Sequence, residues 1–379
     1  MARVIASEQA PAPGRLELAQ IEALPAPRAL GEQERRAMQE EVRALAREHK
    51  ALILAHNYQL PEVQEVADFV GDSLALSRQA ARASEELIVF CGVHFMAETA
   101  SVLCPQKTVL LPDPRAGCSL ASSIDEHQLE AWRQEHPRAI VVMYVNTSAA
   151  VKALTDYCCT SANAVDVVRH VLAEHGEDVE ILFGPDMWLG AYVEREIGRP
   201  LHVWDGECHV HAGIRPDQIE SLRASHPGAE LLVHPECGCT TSVMEYLAAG
   251  DIDGEGVHML STGGMLRFAR HAAARSDQEL VGIAASGDPS APRPVGAGGS
   301  ESGAEVIVAT EVGMLYGLQQ AAPGMRFIPA NPRAACAFMK VVTLPRLLAS
   351  LRKLRYEVRV PADVAARARI PIERMVAIG

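Results

Sequence analysis

Short apolar runs that end in polar residues occur three times along the chain, at 51–58, 139–146 and 229–236. They read Ala-Leu-Ile-Leu-Ala-His-Asn-Tyr, Ala-Ile-Val-Val-Met-Tyr-Val-Asn and Ala-Glu-Leu-Leu-Val-His-Pro-Glu. A short apolar run bounded by polar residues is typical of a buried strand. We therefore predict three strands whose carboxyl ends carry acids, bases and hydrogen-bonding groups.

The same series of elements follows each of these strands. A helical stretch leads to a small turn with a hydroxyl residue, then to a second strand, a helix, and a third strand that runs into a cysteine. The turns are Gly71-Asp-Ser73, Cys159-Thr-Ser161 and Leu260-Ser-Thr262, and the cysteines are Cys118, Cys208 and Cys336. The predicted second strands cover 87–91, 179–183 and 305–309, and the third strands cover 108–111, 201–204 and 326–329. One supersecondary unit repeated in this way indicates an internal repeat.

The alternation of strands and helices predicts an α/β fold with parallel sheets covered by helices. Ligand groups in such sheets gather at the carboxyl ends of the strands. Because the polar groups and the cysteines follow strands, three equivalent repeats can direct three cysteines to one shared centre. The third repeat is longer because it contains a Gly/Ser/Pro-rich insertion at 286–304, which we predict to be flexible.

Length, composition and charge limit the classes of protein to which the chain can belong. The chain has 379 residues, 48% hydrophobic residues and a formal net charge of −13. No apolar run approaches the roughly 20 residues of a membrane helix, and residues 1–14 lack the apolar core of a secretory signal, so we expect a cytoplasmic protein. The negative charge argues against nucleic acid or an anionic membrane as a partner. Nine cysteines in such a protein are expected to be reduced thiols or metal ligands.

The three equivalently placed cysteines are better explained as metal ligands than as unrelated core thiols. Three thiolates favour zinc or an iron–sulfur cluster. Structural zinc usually takes a fourth protein ligand and closely spaced cysteines, and neither is visible here. A [4Fe–4S] cluster held by three cysteines keeps one iron open as a Lewis acid. We expect this cluster on Cys118, Cys208 and Cys336, with zinc as the alternative.

The other strand-end groups suit an active site. Acids, bases and hydrogen-bond donors that would face the same centre are His56, Tyr58, Tyr144, His234 and Glu236. Ser73, Ser161 and Thr262 precede helical stretches, where hydroxyls and unpaired backbone N–H groups bind phosphate or carboxylate. Each hydroxyl taken alone is more simply a helix N-cap, but their recurrence at one place in three repeats favours anion binding.

Eight motifs, in order along the chain, resemble those of quinolinate synthases. They are His56-Asn-Tyr-Gln, Gly71-Asp-Ser-Leu, Cys91-Gly-Val-His-Phe-Met-Ala-Glu-Thr-Ala, Tyr144-Val-Asn, Cys159-Thr-Ser-Ala-Asn, His234-Pro-Glu-Cys, Ser261-Thr-Gly-Gly-Met and Ala309-Thr-Glu-Val-Gly. The resemblance covers about 35–379 and implies three Rossmann-like αβα units, related by a pseudo-threefold axis, that share one central active site. It implies a transferase of de novo NAD biosynthesis that condenses iminoaspartate with dihydroxyacetone phosphate to give quinolinate, phosphate and water. Functional coupling to L-aspartate oxidase is a further implication.

The resemblance also implies roles for individual residues. Cys118, Cys208 and Cys336 match the cluster ligands. Substrate-binding positions are matched by His56, Ser73, Tyr144, Asn146, Ser161, His234, Glu236 and Thr262. Tyr58 and Glu236 match an acid–base pair, His56 assists isomerisation of the triose, and Tyr144 completes the catalytic set. Some relatives carry a C-x-x-C-x-x-C run at the third ligand; Ala330 and Arg333 stand at the corresponding places here, so we expect no redox switch there.

The predicted domains are an extension at 1–37, a first unit at 38–118 completed by about 340–379, a second unit at 119–208 and a third at 209–339. We expect the extension to be poorly ordered and 35–50 to form a surface helix. We expect Cys158, Cys159, Cys237 and Cys239 to be buried free thiols, and His209 and His211 to lie either beside the cluster or at the surface.

The nearest alternative function is another [4Fe–4S]-dependent dehydratase with an open iron. A non-enzymatic iron–sulfur sensor or carrier would have no use for the His, Tyr and Glu side chains at the strand ends.

Overall fold

The chain forms two compact units of parallel sheet and helix. The structure, a computed structural model, describes residue 24 and residues 27–249, 256–286 and 304–378, with the backbone alone at 246–249 and 275–286. Unit 1 combines residues 1–209 with 336–379, and unit 2 comprises residues 210–335. Across the described ranges, no helix is long and apolar enough to cross a membrane.

The first repeat lies in unit 1 and forms a parallel sheet with the strand order β2-β1-β3-β4. All six residues of the central strand β1 are buried, because neighbouring strands pair with both of its edges and helices cover it. Asp72 begins α3 by accepting the Ala75 N–H at 2.9 Å. The elements are α1 (Glu32–His49), β1 (Ala51–His56), α2 (Pro61–Gln64), β2 (Phe69–Gly71), α3 (Ser73–Arg82), β3 (Leu87–Cys91), α4 (His94–Leu103) and β4 (Thr108–Leu110).

The second repeat, also in unit 1, has the equivalent order β6-β5-β7-β8. Asp125 and Gln128 form a capping box that begins α5. Leu129 on this helix packs with Ile124, Val141 and Leu182 in a buried cluster beneath it. The elements are α5 (Glu126–Glu135), β5 (Ile140–Tyr144), α6 (Ala149–Lys152), β6 (Tyr157–Cys159), α7 (Ala164–His175), β7 (Ile181–Gly184), α8 (Met187–Ile197) and β8 (His202–Val203).

The C-terminal segment completes unit 1 with three helices. They are α14 (Ala337–Lys340), α15 (Leu344–Lys353) and α16 (Ala362–Ala377), numbered after the helices of unit 2. Helix α15 buries leucines at the i, i+3, i+4, i+7 spacing and packs on α1; each buried leucine is worth roughly 1.5–3 kcal/mol. Helix α16 contacts α4 of the first repeat together with α6 and β6 of the second. The segment therefore joins the first two repeats.

Unit 2 contains the third repeat, again a parallel sheet, with the order β10-β9-β11-β12. The inner strands β9 and β11 are buried except at their first residues. The elements are α9 (His209–Ala212, which begins at the last residue of unit 1), α10 (Pro216–Ser225), β9 (Glu230–Val233), α11 (Thr240–Ala249), β10 (Val257–Met259), α12 (Thr262–Ser286), β11 (Glu305–Ala309), α13 (Met314–Ala321) and β12 (Arg326–Pro329).

The predicted α/β class and the threefold repeat are confirmed, because each repeat forms a four-stranded parallel sheet of the same order. The edge strands β2, β6 and β10 were not predicted. Each has three residues and ends at or just before a polar turn, which is too short for a hydrophobic pattern to show. That the repeats share one active site stays a prediction.

The boundary of the predicted extension needs correction. Helix α1 begins at Glu32, so residues 32–37 are helical rather than poorly ordered. Glu32 and Glu34 lie in its first turn, where carboxylates stabilise the positive end of the helix dipole. Residues 1–23 of the extension and 287–303 of the insertion lie outside the described residues. The boundary between the first and second predicted domains stays a prediction.

Candidate active site

The turn after β1 fixes a histidine and a tyrosine side by side. His56 and Tyr58 are both buried. The Tyr58 N–H donates to His56 Nδ1 at 3.2 Å, and the two rings meet edge to face with centroids 4.7 Å apart. Because Nδ1 accepts a hydrogen bond, the neutral imidazole carries its proton on Nε2. The Lys340 ammonium donates to the Tyr58 carbonyl and holds the turn from α14.

The turn after β9 in unit 2 repeats this arrangement. The Glu236 N–H donates to His234 Nδ1 at 3.4 Å, so His234 also keeps its proton on Nε2. In the second repeat the corresponding places hold Tyr144 and Asn146. The Asn146 Oδ1 is buried and has no hydrogen-bond partner among the described residues. A buried acceptor left unpaired costs about 1–3 kcal/mol, so this oxygen is available to a hydrogen-bond donor.

Glu236 lies in a buried cluster with two imidazoles. Its Oε2 is 3.3 Å from His211 Nδ1, and its Oε1 is 3.8 Å from His234 Nδ1. The two rings stack with centroids 4.9 Å apart, 12° from parallel, and His211 Nε2 is 3.0 Å from the Thr310 hydroxyl oxygen. The imidazole tautomer decides whether His211 Nε2 accepts the hydrogen bond from Thr310 or donates it. Such a carboxylate is placed to take and return protons.

Sequence reasoning missed parts of this cluster. The surface location considered for His211 is wrong, since its side chain is buried against Glu236. Thr310 belongs to the motif Ala309-Thr-Glu-Val-Gly, which does not by itself indicate a contact with His211. The spacing Cys208-His-Val-His211 is a signal, because α9 buries its third residue, His211, but the sequence alone could not show which face is buried.

His234 is uncharged at neutral pH. Burial lowers the pKa of His234 to about 4, while the Glu236 carboxylate opposes the shift and His211 adds to it. A neutral imidazole with its proton on Nε2 donates one hydrogen bond without carrying a charge. This side chain is therefore suited to hold a carbonyl or carboxylate oxygen.

The predicted anion-binding hydroxyls lie at helix starts, but neighbouring residues cap two of the helices. Ser73 opens α3, which Asp72 caps, and Thr262 opens α12, where the Ser261 hydroxyl accepts a first-turn N–H at 3.2 Å. Ser161 lies in the turn before α7. The N-cap interpretation is therefore wrong for Ser73 and Thr262. Their positions suit binding of a phosphate or carboxylate at a helix N-terminus.

The three predicted cluster ligands differ from the other thiols in exposure. Each of them is partly exposed, whereas the thiols of Cys91 and Cys104 are buried, and so are those of Cys158 and Cys159, as expected. Burial raises the pKa of Cys158 to about 12 and that of Cys159 well above its ordinary value. Because the thiolate is the form that binds metal, buried thiols of this kind are poor ligands.

Side chains next to the three cysteines contact one another within unit 1. The Ser119 hydroxyl is 2.6 Å from His209 Nδ1, and the rings of His209 and Phe338 meet edge to face with centroids 6.0 Å apart. Each of these residues lies one or two positions after a predicted ligand. The contacts therefore bring the three cysteine-bearing segments to one place.

A buried lysine accompanies Cys118. A cavity of about 420 Å³ in unit 1 is lined by Cys118, Phe95 and Glu98. Lys152 is buried, with its ammonium 5.3 Å from the centre of the Phe95 ring. Burial lowers the pKa of Lys152, and charge on Cys158, Glu98 and Cys118 opposes this shift. A buried basic group therefore lies close enough to Cys118 to interact with it electrostatically. Sequence reasoning did not single out this lysine.

The expectation of free thiols at Cys237 and Cys239 is wrong, although both side chains are buried as predicted. The two residues form a disulfide with Cα atoms 5.2 Å apart, within the usual range for such a bond. The Gly238 N–H donates to the His211 carbonyl at 3.0 Å. A Cβ on Gly238 would lie 2.9 Å from the Ala212 carbonyl oxygen, so only glycine fits this close approach.

Comparison with known proteins places the chain among close relatives. The family model described as "Quinolinate synthetase A protein" matches residues 40–284 and 295–377. The chain is 53% identical over 340 residues to a protein from Mycobacterium tuberculosis named quinolinate synthase, covering 89% of this chain and 88% of that one. It is 51% identical over 350 residues to the quinolinate synthase of Thermus thermophilus, covering 92% of this chain and all of the relative.

Proposed function

The chain belongs to the quinolinate synthetase A family, and from this premise we propose that it makes quinolinate at a [4Fe–4S] cluster held by Cys118, Cys208 and Cys336. The reaction condenses iminoaspartate with dihydroxyacetone phosphate and releases phosphate and water. It is a transferase step of de novo NAD biosynthesis. Coupling to L-aspartate oxidase as the source of iminoaspartate, and a location in the reducing cytoplasm, are parts of the same proposal.

The cluster proposal rests on two side-chain contacts, one between Ser119 and His209 and one between His209 and Phe338. These contacts join the segments that carry three partly exposed cysteines, and the backbone N–H of Ala121 donates to Cys118 Sγ at 3.4 Å. Hydrogen bonds to ligand sulfur are among the features that tune iron–sulfur centres. A donor set of three thiolates fits a four-iron cluster. When bound, the cluster supplies an open iron as a Lewis acid.

Two kinds of polar group would hold the substrates. Ser73, Ser161 and Thr262, each at or before a helix start, would bind phosphate and carboxylate oxygens through hydroxyl and backbone N–H groups. His56 and His234 would each donate Nε2–H to a substrate oxygen, because their Nδ1 atoms accept backbone N–H groups. These donors orient the substrates without adding positive charge.

Two further groups would move protons. Ring formation requires removal of protons from carbon and their delivery to departing hydroxyl groups. Glu236 would be the base, because its carboxylate lies between two imidazoles that can stabilise either protonation state. Tyr58 would be the acid, and Tyr144 would assist it. The Asn146 Oδ1 would accept a hydrogen bond from the substrate.

The function is tested with anaerobically purified protein. We expect quinolinate and inorganic phosphate to form together when dihydroxyacetone phosphate and iminoaspartate are both supplied, and neither to form when one is omitted. An enzyme of the alternative class, a dehydratase acting on a hydroxy acid, would release no phosphate from this pair. That result would replace the proposed function.

The cluster is tested by iron and sulfide content and by the absorption spectrum. Cys208→Ala should lose the four-iron cluster, and so should Cys118→Ala and Cys336→Ala. Cys158→Ala, which removes a buried thiol from β6, is the matched control and should retain it. Zinc without sulfide in the wild-type protein, or a full cluster in Cys208→Ala, would overturn the ligand assignment.

A further inference from the structure

Two histidines and a glutamate meet at the amino ends of the strands of the second sheet. This end is opposite the carboxyl ends, where the candidate active-site residues lie. His136 directly follows α5, Glu180 directly precedes β7, and His202 is the first residue of β8. All three belong to unit 1. Because β7 and β8 start here, the group lies at their amino ends, whereas Cys208 follows the carboxyl end of β8. The group has no part in the proposed reaction.

The three side chains already face one another. One possible ligand atom from each lies within 4.8 Å of the other two. His136 Nδ1 is 3.9 Å from Glu180 Oε2, and the rings of His136 and His202 have centroids 4.3 Å apart at an angle of 44°. Ligand atoms bound about 2.1 Å from one tetrahedral ion lie about 3.4 Å apart. Small side-chain rotations would therefore bring these atoms into coordination.

The backbone holds the ligand positions on rigid elements. His202 pairs with Leu182 across β7 and β8. The Glu180 carbonyl accepts the Ile140 N–H at 2.8 Å, which ties it to β5. His136 directly follows α5, and a capping box stabilises the N-terminus of this helix. Little further ordering is needed for binding, which favours affinity.

We propose that His136, Glu180 and His202 bind a divalent transition-metal ion of the zinc class. Two imidazoles and one carboxylate are a donor set typical of zinc sites that keep a position for water. Magnesium and calcium ions prefer oxygen ligands, so a site with two imidazoles does not favour either of them. The carboxylate is half exposed and the His136 ring is about one-quarter exposed, so an ion can enter from solvent. The ion would link the end of α5 to β7 and β8.

The test is a titration of the cluster-loaded protein with Zn²⁺ alone under anaerobic conditions, followed by calorimetry and by the absorption of the cluster. We expect one Zn²⁺ per chain with the cluster spectrum unchanged. Affinity should fall about tenfold or more in His202→Ala and in Glu180→Gln. His127→Ala, which removes an exposed histidine from the same helix α5, is the matched control and should bind like the wild type.

A second readout separates metal binding from a structural effect. Zn²⁺ should raise the thermal unfolding midpoint of the wild type and of His127→Ala, because an ion that binds only the folded state stabilises it. His202→Ala, which alters an exposed side chain, should keep the metal-free midpoint and lose the rise. Absence of Zn²⁺ binding by the wild type overturns the proposal. Equal binding by His202→Ala would place the ion elsewhere and overturns it as well.

Discussion

His234 should make the stability of the protein depend on pH in a predictable direction. Its ring is buried in unit 2, and burial lowers its pKa from 6.5 to about 4. In the unfolded chain the ring regains its ordinary pKa. Between these two values the unfolded state binds more protons than the folded state, so folding loses stability as the pH falls from 6.5 towards 4. Well above pH 6.5 the penalty vanishes, because the ring is then neutral in both states.

The magnitude follows from the shift. A difference of about 2.5 pKa units corresponds to about 3 kcal/mol when the pH is below both values. About 2 kcal/mol of this is already lost at pH 5. His234→Asn removes the titrating ring but keeps an acceptor for the Glu236 N–H. The variant should therefore lose less stability than the wild type on acidification, whatever the other titrating groups contribute.

Urea unfolding at pH 7.5 and pH 5 measures this effect in both proteins. We expect the loss of unfolding free energy to be smaller by about 2 kcal/mol in His234→Asn than in the wild type. His127→Asn, an exposed control on α5, should lose as much as the wild type. An equal loss in wild type and His234→Asn would show that His234 is not held neutral by burial.

Three other substitutions and one treatment test the remaining roles. Glu236→Gln keeps the shape of the side chain but removes the base; turnover should fall roughly 10²-fold or more with iron and sulfide content unchanged, and normal turnover would refute the assignment. Thr262→Ala and Ser161→Ala should raise KM for the anionic substrates more than they lower kcat, and loss of the cluster in either would show that these hydroxyls have a different role. Air exposure should destroy the cluster spectrum and the activity in parallel, because the open iron lacks a protecting thiolate; activity that survives aeration and iron chelation would contradict this expectation.

The sequence was sufficient for the parts of the fold that depend on long apolar strands. The strands β1, β3 and β11 lie at the predicted residues, because each is a buried run of five or six residues. The edge strands β2, β6 and β10 were missed, since they are stabilised by pairing with β1, β5 and β9 rather than by a pattern of their own. Such pairing is a tertiary property that local sequence does not encode.

Side-chain partners in the candidate site were harder to predict than its residue types. Glu236 could be proposed from its place at a strand end, but its neighbours His211 and Thr310 come from α9 and from the residue after β11. Likewise, the disulfide between Cys237 and Cys239 depends on a tight turn at Gly238, although cysteines two residues apart are usually left unpaired in a reducing compartment. The contacts of His211 with Glu236 and Thr310 are fixed by packing between elements distant in sequence, whereas the disulfide joins cysteines two residues apart.

The repeated strand-end turn shows how one backbone arrangement can serve different chemistry. In the first and third repeats, the N–H of residue i+2 donates to Nδ1 of a histidine at position i. The backbone alone thus sets the tautomer, so the side chain at i+2 is not needed for that purpose and can vary. It is the phenol of Tyr58 in one repeat and the carboxylate of Glu236 in the other, while the second repeat has the amide of Asn146 at this position. Under the proposed function, this weak acid, amide and base at equivalent places would deliver protons to oxygen, hold the substrate and remove protons from carbon, as condensation followed by dehydration requires.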